Sequence, residues 1–236
     1  MAPMRQLIWK EWHEQNWRLG FGCIVLGAMA LIGLHARLIA DDDMMLWVGF
    51  IGITLLPVLS STGLLPAERS EGSFESLLAL PVAPWKILAA KTAMGLLLCV
   101  GPLAVAAAIS LIVAGGREMT DGDIVHFYAA SSVAAVSLFI WMMALTSRLP
   151  SEGRSALVAI GILIIWSIAT GSASAGGLNS SAAPRFFKAT SPLMAVWATD
   201  PHSMPLIAVV IVQAIIAIAL WTWMAKRIVP PVEGES

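Results

Sequence analysis

Apolar residues fall in six blocks, each long enough to cross a bilayer as a helix, which takes about 20 mostly apolar positions. The blocks run Leu19–Ile39, Met44–Leu65, Ile87–Val113, Ile124–Thr146, Ala156–Ala173 and Met204–Ala225. Two shorter pieces break the alternation of long apolar block and brief polar connection. Ahead of the first block, Met4, Leu7, Ile8 and Trp12 recur at helical spacing while Lys10, Glu11 and Glu14 point elsewhere. Trp9, Trp12 and Trp17 favour the headgroup level, so residues 1–18 read as a helix lying in the membrane interface before the six-span region 19–226 and a tail 227–236. Between blocks two and three, Glu68 to Pro81 forms a short charged segment compatible with a helix.

That second piece is read residue by residue. Gly72 permits a sharp turn, and Ser73 can accept a bond from an exposed backbone N–H as a helix cap. Glu75 then meets the positive end of the helix dipole, and Phe74, Leu77 and Leu78 share one face. Pro81 and Pro84 stop the helix before the third block, whose first lysines, Lys86 and Lys91, are expected to reach out to the interface.

Composition agrees with the block pattern. The chain is 58% hydrophobic and 12% charged, with a mean hydropathy of +0.82. Soluble domains carry about 25% charged residues, so the expected class is an all-α integral membrane protein. A net charge of −1, with no basic stripe, leaves nucleic acid without a binding face. Cys23 and Cys99 lie in apolar blocks and read as small packed side chains. Glu11 and Glu14 argue against a cleaved secretory signal in the first block.

Charge placement orients the spans. With the N-terminus inside, Arg5, Lys10, Arg18, Arg69, Lys86, Lys91, Arg148, Arg154, Lys226 and Arg227 are cytoplasmic, and Arg37, Arg117, Arg185 and Lys188 are external. Every aspartate falls on the external side. This is the positive-inside pattern, and it places both termini on the cytoplasmic side of the cytoplasmic membrane.

Glu68 or Glu71, then Gly72, Ser73, Glu75, Leu77, Leu78, Pro81 and Lys91, resemble the cytoplasmic motif of ABC-2 type transporter permeases, the membrane subunits of one class of ATP-driven exporters. Trp9-Lys10-Glu11 is similar to the Lys-Glu of that family's N-terminal interfacial helix, and six spans with both termini inside match as well. The resemblance implies that the segment holding Glu68, Glu71, Gly72, Ser73, Phe74, Glu75, Leu77, Leu78 and Pro81 is a coupling helix seated on a separate cytoplasmic ATPase. It implies ATP and Mg²⁺ on that partner, and a second permease subunit, identical or paralogous, beside this one. A haem-exporter-like membrane subunit of cytochrome c maturation is a near relative in size and span count. A non-transporting scaffold and a partner-free carrier are the alternatives from other classes.

Other chemistries find no support. No phosphate-cradling Gly-x-x-x-x-Gly-Lys-Ser/Thr loop occurs, so no catalytic residue is assigned and ATP hydrolysis is expected elsewhere. His13, His35, His126 and His202 stand apart without metal-ligand spacing, so no cofactor or metal site is assigned. The span centres hold no charged residue, which disfavours an ion-coupled carrier. Pro57 and Pro102 are expected to bend spans two and three. Gly20, Gly22, Gly27, Gly49 and Gly52 permit close helix contacts, within one chain or between two. Between spans five and six, Phe186, Phe187, Leu193, Met194 and Trp197 suggest a short external helix.

Overall fold

The computed structural model describes residues 3–36, 47–72, 82–113, 120–147, 149, 151–175, 191–192 and 206–227. Its helices are α1 (Pro3–Ala36), a π-helical turn (Ile51–Leu55) that runs into α2 (Leu56–Glu71), α3 (Pro84–Val113), α4 (Asp121–Thr146), α5 (Glu152–Ala175) and α6 (Leu206–Arg227). No strand occurs among the described residues. Five stretches are long and apolar enough to cross a membrane: Arg5–Ile32, Trp47–Pro66, Pro84–Val113, Asp121–Thr146 and Leu206–Lys226. The remaining apolar block, 156–173, lies on the 24-residue α5, part of whose C-terminal half has no described side chains.

The chain is inverted relative to a water-soluble protein only at its surface. Leu88, Cys99, Leu103 and Ala106 of α3 meet Ala135, Phe139 and Met143 of α4 in a closed apolar core. The same bundle turns Ile24, Ile112, Leu157 and Ile207 outward at 71, 81, 74 and 74% exposure. Apolar side chains on both the inside and the outside of long helices are compatible with a lipid surround. Polar atoms in the interior are tied down locally. Tyr128 Oη and Ser110 Oγ share a 2.9 Å hydrogen bond, and the Trp221 Nε1–H donates to Thr92 Oγ1 at 3.2 Å, joining α6 to α3. On α6, Gln213 Nε2 donates to the Ser191 carbonyl at 2.7 Å.

Most of the small residues are used inside the chain. A Cβ at Gly22 would stand 2.9 Å from the Pro102 ring, and one at Gly27 would stand 3.0 Å from Ile109, so both glycines bring α1 against α3. Gly49 faces Phe127, and a Cβ at Gly52 would stand 2.5 Å from Leu103 Cδ2. Gly20 faces open space.

Residues 3–18 are continuous with most of the first apolar block in a single helix. From Pro3 to Ala36 the helix is unbroken, about 50 Å long at 1.5 Å per residue. Its buried face near the N-terminus is also not the apolar one expected. Leu7, Glu11 and Gln15, spaced by four, are buried, while Ile8, Trp9 and Trp12 are exposed at 50, 67 and 45%. The reason is the helix facing it: α3 offers a lysine there, which a carboxylate satisfies and an isoleucine does not.

The π-helical turn, the form in which a helix absorbs one extra residue, ends at Leu55, two residues before Pro57. Pro102 is buried within α3. A third proline, Pro66, lies inside α2, and that helix continues past it to Glu71 before Gly72 ends it in the left-handed conformation, φ +71°. α2 therefore carries Glu68 as a helical residue rather than a loop residue. We expect Pro57→Ala with Pro102→Ala to slow any transport that depends on tilting of these helices, measured by flux in reconstituted vesicles. Unchanged flux would remove the prolines from the mechanism.

Candidate functional site: a buried ion-pair cluster

Three helices converge on Lys91. This residue sits two turns into α3 at 1% side-chain exposure, far from the interface position expected for it. A lysine stem can stretch toward water only where no neighbour covers it. Here α1 and α2 do cover it, and the ammonium finds its partners in them. Lys91 Nζ lies 2.8 Å from Glu11 Oε1 of α1 and 2.8 Å from Glu68 Oε1 of α2. It also reaches the Leu64 carbonyl at 3.4 Å.

Lys10 closes the cluster from the outside. Its ammonium lies 2.8 Å from the same Glu68 oxygen and 3.4 Å from Glu14, one turn along α1. Exposure grades outward, from 1% at Lys91 and 3% at Glu11 through 8% at Glu68 to 35% at Lys10 and 47% at Glu14. Desolvation makes such a group of charges expensive to form. Once it is formed, losing any one inner member strands the others without water, so the pairing holds the three helices in one register.

Carboxylate oxygens of Glu11, Glu14 and Glu68 lie within 4.8 Å of one another, a spacing that could hold a metal ion. Two ammonium groups already sit among them, so the local chemistry is that of an ion-pair network. Glu11 Oε2 and Gln15 Oε1 are buried without a hydrogen-bond partner, so the inner edge of the cluster on α1 has spare acceptor capacity.

The cluster lies at the base of the segment singled out from the sequence. Glu68 stands four residues before Gly72 on α2, and Lys91 stands near the start of α3. Ser73, Phe74, Glu75, Leu77, Leu78 and Pro81 lie outside the described residues, as does the Glu71 side chain. Gly72 is exposed at the end of α2, with its N–H donating to the Arg69 carbonyl at 3.3 Å. The Glu68 carboxylate turns inward to Lys10 and Lys91. Among the interfacial residues, Trp9 is exposed and stacks on His13 at 5.3 Å, while Lys10 and Glu11 belong to the cluster. Lys86 is half-buried, with its ammonium 5.6 Å from the Trp85 ring centroid.

Sequence reasoning missed the pairing of Lys91, although a signal was present. A lysine inside an apolar block demands a counter-charge, and Glu11 and Glu68 were available at the ends of two other blocks. A second inter-helix pair went unread as well. Arg18 of α1 crosses α2 at Gly63, where a Cβ would collide with its guanidinium, and reaches Glu152 of α5 at 3.9 Å. No protein-family model matches the chain, and no curated protein is found similar to it.

Proposed function

We propose that this chain is the membrane-embedded permease subunit of an ATP-driven exporter of the ABC-2 type, with six spans and both termini in the cytoplasm. The observation that carries the reading is the placement of the ion-pair cluster. The two helices that flank residues 72–81 are clasped to each other through Glu68 and Lys91, and to α1 through Glu11, all at 2.8 Å. A force applied to a short loop is lost in bending unless the helices on either side are joined at its base. Here the join is charged, short and desolvated, so a push on the loop moves α1, α2 and α3 together.

In this reading Glu71, Gly72, Ser73, Phe74, Glu75, Leu77, Leu78 and Pro81 form the coupling surface against a separate cytoplasmic ATPase. Glu68 acts behind that surface, as the link from loop to bundle. Nucleotide closure of two ATPases displaces two such loops, one from each permease of a homodimer or heterodimer. The π-helical turn ahead of Pro57 and the buried Pro102 are the points at which α2 and α3 can change tilt without breaking the apolar core. ATP and Mg²⁺ are held by the partner, because this chain has no phosphate loop of its own. The apolar interior suits a hydrophobic or amphiphilic substrate.

Co-purification from native membranes in a mild detergent tests the reading. The unaltered chain is expected to bring down a subunit that hydrolyses ATP, and Glu71→Ala/Phe74→Ala/Glu75→Ala is expected to lose it while keeping the same melting midpoint. An intact chain that carries no ATPase across several mild detergents would sink the exporter reading in favour of a scaffold.

A further inference from the structure

A cavity of about 240 Å³ opens between α1, the π-helical turn and α2, with a charged pair at one end. Its walls are Phe21 and Val25 of α1, Ile51 and Leu55 of the π-helical turn, and Leu59 of α2. Arg18 and Glu152 line it as well, and they are the only charged groups among its described lining residues. From Arg18 to Val25 the trough extends about 10 Å along the helix axis, at 1.5 Å per residue. That distance is of the order of one leaflet's share of a hydrocarbon core about 30 Å thick. Apolar cavities of about 150 Å³ already stay dry and accept an apolar guest, so this one favours hydrocarbon over water.

The charged end narrows the choice of guest. Arg18 and Glu152 are 29% and 49% exposed and 3.9 Å apart, so they form a weak, accessible pair that a ligand can part. Trp17 lines the same end, and the Arg18 guanidinium lies 5.5 Å from its ring centroid. An anionic headgroup would gain the arginine and be repelled by the glutamate. A headgroup carrying both signs gains both. The guanidinium fork matches a phosphate, and the carboxylate accepts from a primary ammonium.

We infer that this trough is a binding site for one zwitterionic phospholipid of the ethanolamine type, with its phosphate on Arg18, its ammonium on Glu152 and an acyl chain along Phe21, Val25, Leu55 and Leu59. The inference rests on the membrane-embedded reading but not on the ATPase, and its test uses this chain alone. The π-helical turn contributes two of the walls, so an occupied trough braces the segment just ahead of Pro57.

The full chain is reconstituted into vesicles of equal parts phosphatidylethanolamine, phosphatidylglycerol and phosphatidylcholine with matched acyl chains. It is then extracted gently, and the retained lipid is identified by native mass spectrometry. The ethanolamine lipid is expected to be retained over each of the others by about fivefold or more. Leu59→Trp, at a position 52% exposed, fills the trough from its open side and is expected to lower that retention by a similar factor. Glu152→Gln removes only the ammonium partner at an exposed site, and is expected to equalise the ethanolamine and glycerol lipids. The inference is overturned by retention of the three lipids in bilayer proportion, by dominance of phosphatidylglycerol in the unaltered chain, or by a Glu152→Gln variant whose lipid preference does not move.

Discussion

Lys91→Met is expected to destabilise the folded chain by about 3–5 kcal/mol, the cost of breaking a buried ion pair from one side. The methionine fills nearly the same volume, so the loss is electrostatic rather than steric. Glu11, at 3% side-chain exposure, is left with no lysine at 2.8 Å, and Glu68 loses the more deeply buried of its two lysines, Lys91, while keeping Lys10 at 2.8 Å. A lowered thermal midpoint in detergent, with helix content unchanged before melting, is the measurement. The variant with Glu11→Gln and Glu68→Gln added is expected to recover much of the loss, because a buried charge group removed whole no longer strands a member. Under the proposed function the two variants separate stability from coupling. The triple variant folds but lacks the clasp, so ATPase turnover in a co-purified complex proceeds without transport. A Lys91→Met variant that melts with the unaltered chain would show that the cluster does not hold these helices together.

Gly95→Ala is expected to be the most damaging of the small substitutions. Gly95 lies one turn beyond Lys91 on α3, where α2 and α4 both press on the backbone. An added Cβ would stand 2.0 Å from Phe139 Cζ and 2.9 Å from Leu64 Cδ1. Phe139 and Leu64 are themselves 0% and 1% exposed, so neither can swing into open space. Overpacking of this kind costs about 1–3 kcal/mol, here at the upper end because the obstruction is a ring edge in a closed core. Phe139→Leu in the Gly95→Ala background is expected to restore part of the loss, giving a favourable interaction term in a double-mutant cycle of melting midpoints. Strict additivity of the two would place the strain elsewhere. Gly63→Ala makes a useful contrast. The atoms nearest its Cβ belong to the Arg18 guanidinium, the far end of a long side chain, so the expected loss of stability is smaller than at Gly95.

The helical class and the position of most helices were legible in the sequence because block length and hydropathy are local properties. α3, α4 and α6 begin within a few residues of their apolar blocks, and Gly72 ends α2 in the left-handed conformation. The proposed coupling surface rests on the residue types between Gly72 and Pro81, most of which lie outside the described residues. The partners of the charges were not legible. Glu11 was assigned to the outward face of an interfacial helix, yet it lies under α3. Lys91 was assigned to the interface, yet it is among the least exposed side chains of the described residues. Both errors share one cause: an amphipathic face was judged by its apolar members, without asking which charges the opposing helices would bring.

From its sequence alone this chain is determined to be helical, apolar enough for a membrane, without a phosphate loop, and marked by one charged segment between its second and third blocks. These features depend on runs of neighbours, and neighbours are what a sequence displays. Only the tertiary structure decided that Glu11, Glu68 and Lys91 meet, that Arg18 crosses α2 at Gly63, and that Gly22 exists to admit Pro102. The Glu11–Lys91 contact spans 80 residues and the Lys10–Glu68 contact 58. Over such separations the choice of partner is made by helix register and crossing geometry, and desolvation then fixes it. A charge sealed between packed helices must take the counter-charge that the register provides.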